Sequence, residues 1–304
     1  MSKTLSNYRF KRGTSHTTTL FHYTNTWKKI LSILENGLYF SYSYDDIGSI
    51  FFALPMISFC DIPLSRNQEH TGRYGKFAIG ISKDALLKKY PSGYWGPVNY
   101  IFNGAIVNLA FRSKELYTKH KEKYNSFIND RLKSPIENPD GYIETDRGNV
   151  LFSIDEFIPI TELENSISTF NKEFCFSLGF IKPFNGTNKK GKNQYNYDEC
   201  EWRIILPEGI KLSDGSDLNW IFSKGEYDSW RGERSKPKPH INYPTFTFLP
   251  EQLRFIVVQS DSILSKCVKD IRKLKMFCGQ PITEDIKDIL CSKLISQDQI
   301  SKDI

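Results

Sequence analysis

Tyr197-Asp198-Glu199-Cys200-Glu201-Trp202-Arg203-Ile204-Ile205 alternates charged with less polar residues before running into an apolar end, which predicts a β-strand over residues 200–206. With a strand's period of two, Glu199, Glu201 and Arg203 share one face, and Cys200, Trp202 and Ile204 share the other. Two carboxylates and a guanidinium therefore converge. Arg203 can hold one carboxylate ionised while the other binds a substrate hydroxyl, as reactions that develop charge require. The bland alternative for the same pattern is a solvated strand face.

Outward from this strand, short apolar runs alternate with helical patterns. Strands are expected over residues 20–23, 38–42, 56–60, 76–81, 174–181 and 253–258. Thr24 or Asn25 can cap a first helix whose one face carries Trp27, Ile30, Leu31 and Leu34, and Gly37 is a natural stop. Residues 98–132 and 154–171 read as helical, 134–148 and 223–244 as loops, and 262–277 and 283–295 as closing helices. The fold class is α+β. The chain divides into a flexible basic arm at 1–19, a core at 20–260 with a helical insertion around 82–172, and C-terminal helices at 261–304.

With 304 residues, 39% hydrophobic and 25% charged, the chain can bury a sizeable core and is not a disordered protein. Its longest apolar runs, such as residues 50–59, are too short to span a bilayer, and no signal-type segment follows the polar N-terminus, so a cytoplasmic protein is expected. Six cysteines without a CxxC pair read as thiols, not disulfides or zinc ligands, and five dispersed histidines predict no metal site. A net charge of +6 favours an anionic partner and leans weakly toward nucleic acid.

Three further features bear on chemistry. Leu20-Phe21-His22-Tyr23-Thr24 ends a strand beside a helix start, where His22 can donate to a ribose hydroxyl or can be purely structural. Tyr39, Tyr42 and Tyr44 with Ser41 offer an aromatic platform, although core packing would explain Tyr39 equally well. The segment 61–74 gathers Arg66, His70, Arg73 and Tyr74 between two apolar strands, as a binding loop or an ordinary surface loop. Gly186-Thr187-Asn188-Lys189-Lys190-Gly191-Lys192 has the spacing of a phosphate-binding loop, but Asn193 replaces the required hydroxyl residue and a strand follows, so a hairpin is expected.

Met56-Ile57-Ser58-Phe59-Cys60-Asp61-Ile62-Pro63-Leu64, then His70, Tyr74-Gly75 and Phe77-Ala78-Ile79-Gly80, resemble the abortive-infection AbiGi-type family. Phe180-Ile181-Lys182-Pro183-Phe184 and the strand around Glu201 continue the likeness, which covers about residues 20–206. That family is described as an antitoxin of phage-resistance modules, and its block order is also similar to the ADP-ribosyltransferase-like group. The second likeness implies a split mixed or antiparallel sheet, NAD as substrate, and an ADP-ribosyltransferase toxin that modifies RNA, single-stranded DNA or, less readily, a protein. It assigns catalysis to Glu201 with Glu199 and Arg203. In NAD binding it matches His22 to the first-strand histidine and Tyr39 or Tyr42 to the second-strand aromatic, and Tyr23, Thr24, Ser41, Ser58, His70 and Tyr74 are the further candidates around them. Loss of nicotinamide leaves an oxocarbenium-like ribose, and a carboxylate such as Glu201 can stabilise it. A cognate antitoxin or chaperone would be the partner. The competing implication is a catalytically silent antitoxin or partner-binding module.

Overall fold

In a computed structural model, residues 17–44, 51, 53–66, 68–89, 94–101, 176–187, 193–212, 215–234 and 244–303 are described, together with 119, 122–123, 126, 142–145, 148–151, 165–166, 169 and 173–174. Residues 1–16 of the expected arm at 1–19 and nearly all of the expected insertion beyond residue 101 lie outside them, and Thr19, read as the end of the arm, begins the first strand.

The chain opens with β1 (Thr19–Thr24), α1 (Trp27–Asn36), β2 (Leu38–Tyr39), β3 (Ser41–Ser43) and β4 (Leu54–Cys60). Then come α2 (Gln68–Tyr74), β5 (Phe77–Ser82), α3 (Lys83–Lys89), β6 (Trp95–Pro97) and β7 (Asn99–Ile101). Short hairpin strands β8 (Tyr142–Thr145) and β9 (Gly148–Leu151) precede β10 (Ile181–Pro183), β11 (Asn185–Thr187), β12 (Asn193–Tyr195) and β13 (Glu201–Ile205). The last third holds α4 (Lys224–Arg234), β14 (Thr245–Phe246), β15 (Leu253–Val258), α5 (Leu264–Arg272), β16 (Met276–Phe277) and β17 (Gln280–Pro281). It closes with α6 (Glu284–Ser292), β18 (Leu294–Ser296) and α7 (Gln297–Asp303).

Eight strands build the central sheet in the order β18, β15, β5, β1, β4, β13, β6, with β3 also paired to β4. Every pairing is antiparallel except β15 with β18, so the sheet is mixed. One face packs under α1, α5 and α6 through Leu20, Ile57, Phe59, Ile79, Ile204 and Ile256. The opposite face is split between two apolar groups. Phe21, Tyr23, Cys60, Ile62 and Ile300 form one. Leu54, Met56, Leu178, Ile205 and Trp220 form the other.

Local chemistry explains the element ends. Thr26, not Thr24 or Asn25, caps α1: its hydroxyl accepts from the Lys29 amide, and Thr24 instead completes the β1 ladder opposite Phe77. Gly37 ends the helix at φ +85°, where its N–H reaches the Ile33 carbonyl and an added Cβ would lie 2.7 Å from the Phe246 carbonyl oxygen.

Several expectations are corrected. The predicted strand over 38–42 breaks at Phe40, whose side chain is buried, so β2 pairs with β14 and β3 with β4. Residues 176–178 are helical and only Ile181–Pro183 is extended, because Gly179 and Phe180 form a turn. The segment read as a loop from 223 contains α4, since Tyr227 and Trp230, three residues apart, give that charged stretch one aromatic face. Residue 99 begins a strand, not a helix. The Gly186–Thr187 segment does enter a hairpin with β12; residues 188–192 lie outside the described residues.

Candidate functional site

Strand register decides which of the expected site residues meet. Phe21 lies opposite Cys60 and Cys60 opposite Glu201, so these three project from one face; Arg203 lies opposite Ser58 on that same face. A step of one residue moves His22, Phe59 and Trp202 to the other face, and the His22 and Phe59 rings meet there at 6.0 Å. His22 and Glu201 are therefore on opposite sides of the sheet. The expected convergence of the two is not what the fold builds.

What does converge is a polar cluster in the centre of the second face, between its two apolar groups. The Arg203 guanidinium forks onto Glu201, Nε to Oε1 at 2.8 Å and a terminal nitrogen to Oε2 at 3.1 Å. Its other terminal nitrogen donates to the Gly179 carbonyl at 2.6 Å. Gly179 permits that approach, since a Cβ there would sit 2.6 Å from Ile205 Cδ1 and 2.8 Å from Leu54 Cδ1. Lys182 on β10 donates to Glu199 and, at 3.1 Å, to Glu201 Oε2. The Ser58 hydroxyl also reaches Glu201, and the Tyr74 hydroxyl reaches Glu199. Tyr100 accepts the Glu201 backbone N–H at 2.8 Å.

Glu199 joins by a different route from the one its spacing suggests. It sits in a 3-10 turn, Asn196–Glu199, and Cys200 at φ +42° turns the chain before β13 starts. That left-handed residue interrupts the alternation, yet Glu199 is still delivered to Lys182, as a buried side chain.

The electrostatics follow from this packing. Burial alone would raise the Glu201 carboxyl, but Arg203 and then Lys182 outweigh it and hold it at about 2. Burial, reinforced by the Glu199 charge, pushes the Tyr74 phenol well above its usual range, and burial does the same to Tyr100. Burial also pushes the Cys60 thiol up, with Glu201 adding to the effect, so Cys60 stays a neutral thiol. Among the described residues no group of three or more His, Cys, Asp or Glu could hold a metal ion.

The other expected residues are dispersed. His22 donates from Nδ1 to the Ser58 carbonyl at 2.9 Å, because a carbonyl can only accept. Burial pushes its imidazole down, with Lys29 acting in the same direction, so the ring is neutral. Tyr42 is buried in an aromatic cluster: it stacks on Phe222 at 3.9 Å, meets Trp230 edge-on and donates to the Asn219 carbonyl. It is core, not an open platform. Tyr39 is 45% exposed on β2, Ser41 pairs with Met56, and Thr24 is buried at the end of β1. Tyr23 belongs to the apolar group of Phe21 and Cys60, with its phenol pushed up by burial. His70 lies on α2, its side chain outside the described residues.

Sequence reasoning missed Lys182 and Tyr100. A lone lysine inside Phe180-Ile181-Lys182-Pro183-Phe184 was a readable sign of a buried partner; Tyr100 carried none.

A second buried pair lies on the opposite face. The Lys83 ammonium meets Asp61 and stands 4.9 Å above the Trp202 ring, which stacks on Trp95 at 5.9 Å. Thr17 donates to the same carboxylate and ties the start of β1 to it.

The family model of the abortive phage resistance protein AbiGi, provisionally described as an antitoxin, matches residues 25–259. A curated relative, the abortive phage resistance protein AbiGi of Lactococcus lactis subsp. cremoris, is 27% identical over 289 residues, covering 88% of this chain and 96% of its own. No solved structure matches the chain.

Proposed function

Because the chain belongs to the AbiGi family of abortive phage resistance proteins, we propose that it serves such a system as an antitoxin-type module that works by binding a cognate protein partner. One observation carries this reading: both oxygens of Glu201 are already engaged, by Arg203 and Lys182. A carboxylate that stabilises an oxocarbenium-like ribose must be open to a ribose hydroxyl. Glu201 is instead 7% exposed, and its cluster balances two anions with two cations. Such a cluster ties β13 to its neighbour β4 and to Lys182 on β10 at some cost in desolvation.

The enzymatic reading, transfer of ADP-ribose from NAD to a nucleic acid or protein, keeps one supporting observation. Ser58 reaches a carboxylate held ionised, Tyr100 accepts the backbone N–H of the same residue, and displacement of Lys182 would free one acceptor position on Oε2, which Arg203 still holds.

The two readings separate in one set of measurements. Under the antitoxin reading the chain expressed alone leaves bacterial growth normal, relieves the growth defect caused by its cognate toxin and copurifies with it. Labelled NAD incubated with the purified chain and total RNA, DNA and protein then stays intact. NAD turnover that vanishes in Glu201→Gln would overturn that reading in favour of the transferase.

A further inference from the structure

Between α1 and α5 runs an open groove of about 470 Å³ with an apolar floor, Leu31 and Leu274, and lysines on both rims, Lys28 and Lys273. Ser32, Glu35 and Asp270 complete its lining. The two elements that bound it, α1 and α5 with the turn that follows to residue 275, carry six exposed lysines, Lys28, Lys29, Lys266, Lys269, Lys273 and Lys275. Against them the same residues, 27–36 and 264–275, carry two carboxylates, Glu35 and Asp270, both in the groove lining, and Asp270 accepts the Trp27 indole N–H at 3.0 Å. Arg272 is turned away and paired with Glu284 and Asp288 on α6. The surface is thus cationic with a greasy bottom.

We propose that this groove docks an acidic amphipathic segment of the cognate partner protein, an inference that rests on the antitoxin reading and names the chemistry of the partner. Charge selects the occupant. Carboxylates on one side of such a segment would meet the lysine rims, and apolar side chains at helical spacing would cover Leu31 and Leu274. The chain's own N-terminus, with Lys3, Arg9, Lys11 and Arg12, carries the same sign and is repelled, as is a second copy presenting the same rims. A nucleic-acid strand would satisfy the lysines, but among the described residues no aromatic side chain lines the groove to stack on a base.

The test uses the full chain and the double variant Lys28→Glu/Lys273→Glu, with Lys211→Glu as a remote control. Both groove positions are exposed helix-end sites whose replacement leaves the core intact. The first probe is a fluorescein-labelled peptide of glutamate with leucine at i, i+3, i+4 and i+7; the second is the cognate toxin. The peptide is expected to bind the parent and to lose about tenfold or more in affinity for the double variant, with a steep salt dependence and no change in the control. Toxin binding is expected to weaken in parallel. No peptide binding, equal binding by the double variant, or displacement of the peptide by an RNA oligonucleotide of equal charge overturns the proposal. If the toxin binds parent and double variant equally, the groove is wrong and the antitoxin reading stands. If the peptide behaves as expected and the toxin binds neither protein, the groove stands as an acidic-peptide site and the antitoxin reading falls.

Discussion

Glu201 is the residue through which the polar cluster can be weighed. Its carboxyl ionises at about 2 in the folded chain against an ordinary glutamate value of 4.5 in the unfolded one. The folded value is the lower, so its stabilisation is complete above pH 4.5 and is lost as pH falls toward 2. The size is about 3 kcal/mol by linkage. Urea midpoints measured from pH 2 to pH 6 should therefore show a steeper acid loss in the parent than in Glu201→Gln. That variant should also be less stable at pH 7 by about 3 kcal/mol or more, because Arg203 and Lys182 are left partly uncompensated. Equal acid slopes for the two proteins would mean that Glu201 is not held ionised by this pairing. Period-two spacing made Glu201 and Arg203 legible as neighbours. Their partners were not: Lys182 and Tyr100 arrive from β10 and β7, which pair in parallel, and although the apolar setting of Lys182 signals a buried partner, nothing local says which one.

At the level of elements, two tests follow from close contacts. Gly75, at φ +114°, passes so close to the end of β1 that an added Cβ would lie 2.3 Å from the Thr24 carbonyl oxygen. Gly75→Ala should cost about 2–3 kcal/mol in urea unfolding, whereas Gly96→Ala, with no atom within 4 Å of its Cβ, should cost under about 1 kcal/mol. Helix α4 is attached through Trp230 and Tyr227 to Tyr42, Tyr44, Phe51 and Phe222. Trp230→Ala should thus strip hydrogen-exchange protection from Lys224–Arg234 while β5 and β15 keep theirs; uniform loss throughout the sheet would show that α4 does not open on its own. This helix was the clearest element missed in the sequence. Its charge and the prolines that follow it suggest a loop, and the aromatic face that makes it helical has meaning only once Tyr42 and Phe222 are in place. Strands β1, β5, β13 and β15 were legible because each is an uninterrupted run of apolar or alternating residues.

For the whole molecule the α+β class was readable from the mixture of periods, but the strand order was not, because neighbours in the sheet are remote in sequence. The family match ends at residue 259, yet the sheet does not: β18 pairs with β15, and Ile300 on α7 fills the apolar group of Phe21, Tyr23 and Cys60. A chain ended after residue 259 should therefore lose its cooperative urea transition and its near-ultraviolet circular dichroism; retention of both would make the last 45 residues an accessory. The same strand order sets a timetable on the ribosome. Strands β1, β4 and β5 emerge within the first 82 residues, whereas β13, which covers β4, and β15, which covers β5, come only after residues 200 and 252. Roughly 120 residues separate β5 from β13, or about 6–24 s of synthesis, during which the nascent chain carries two unpaired strand edges. A host that makes this protein in a burst must shield those edges for that interval, so its yield of folded chain should depend on chaperones that engage during translation.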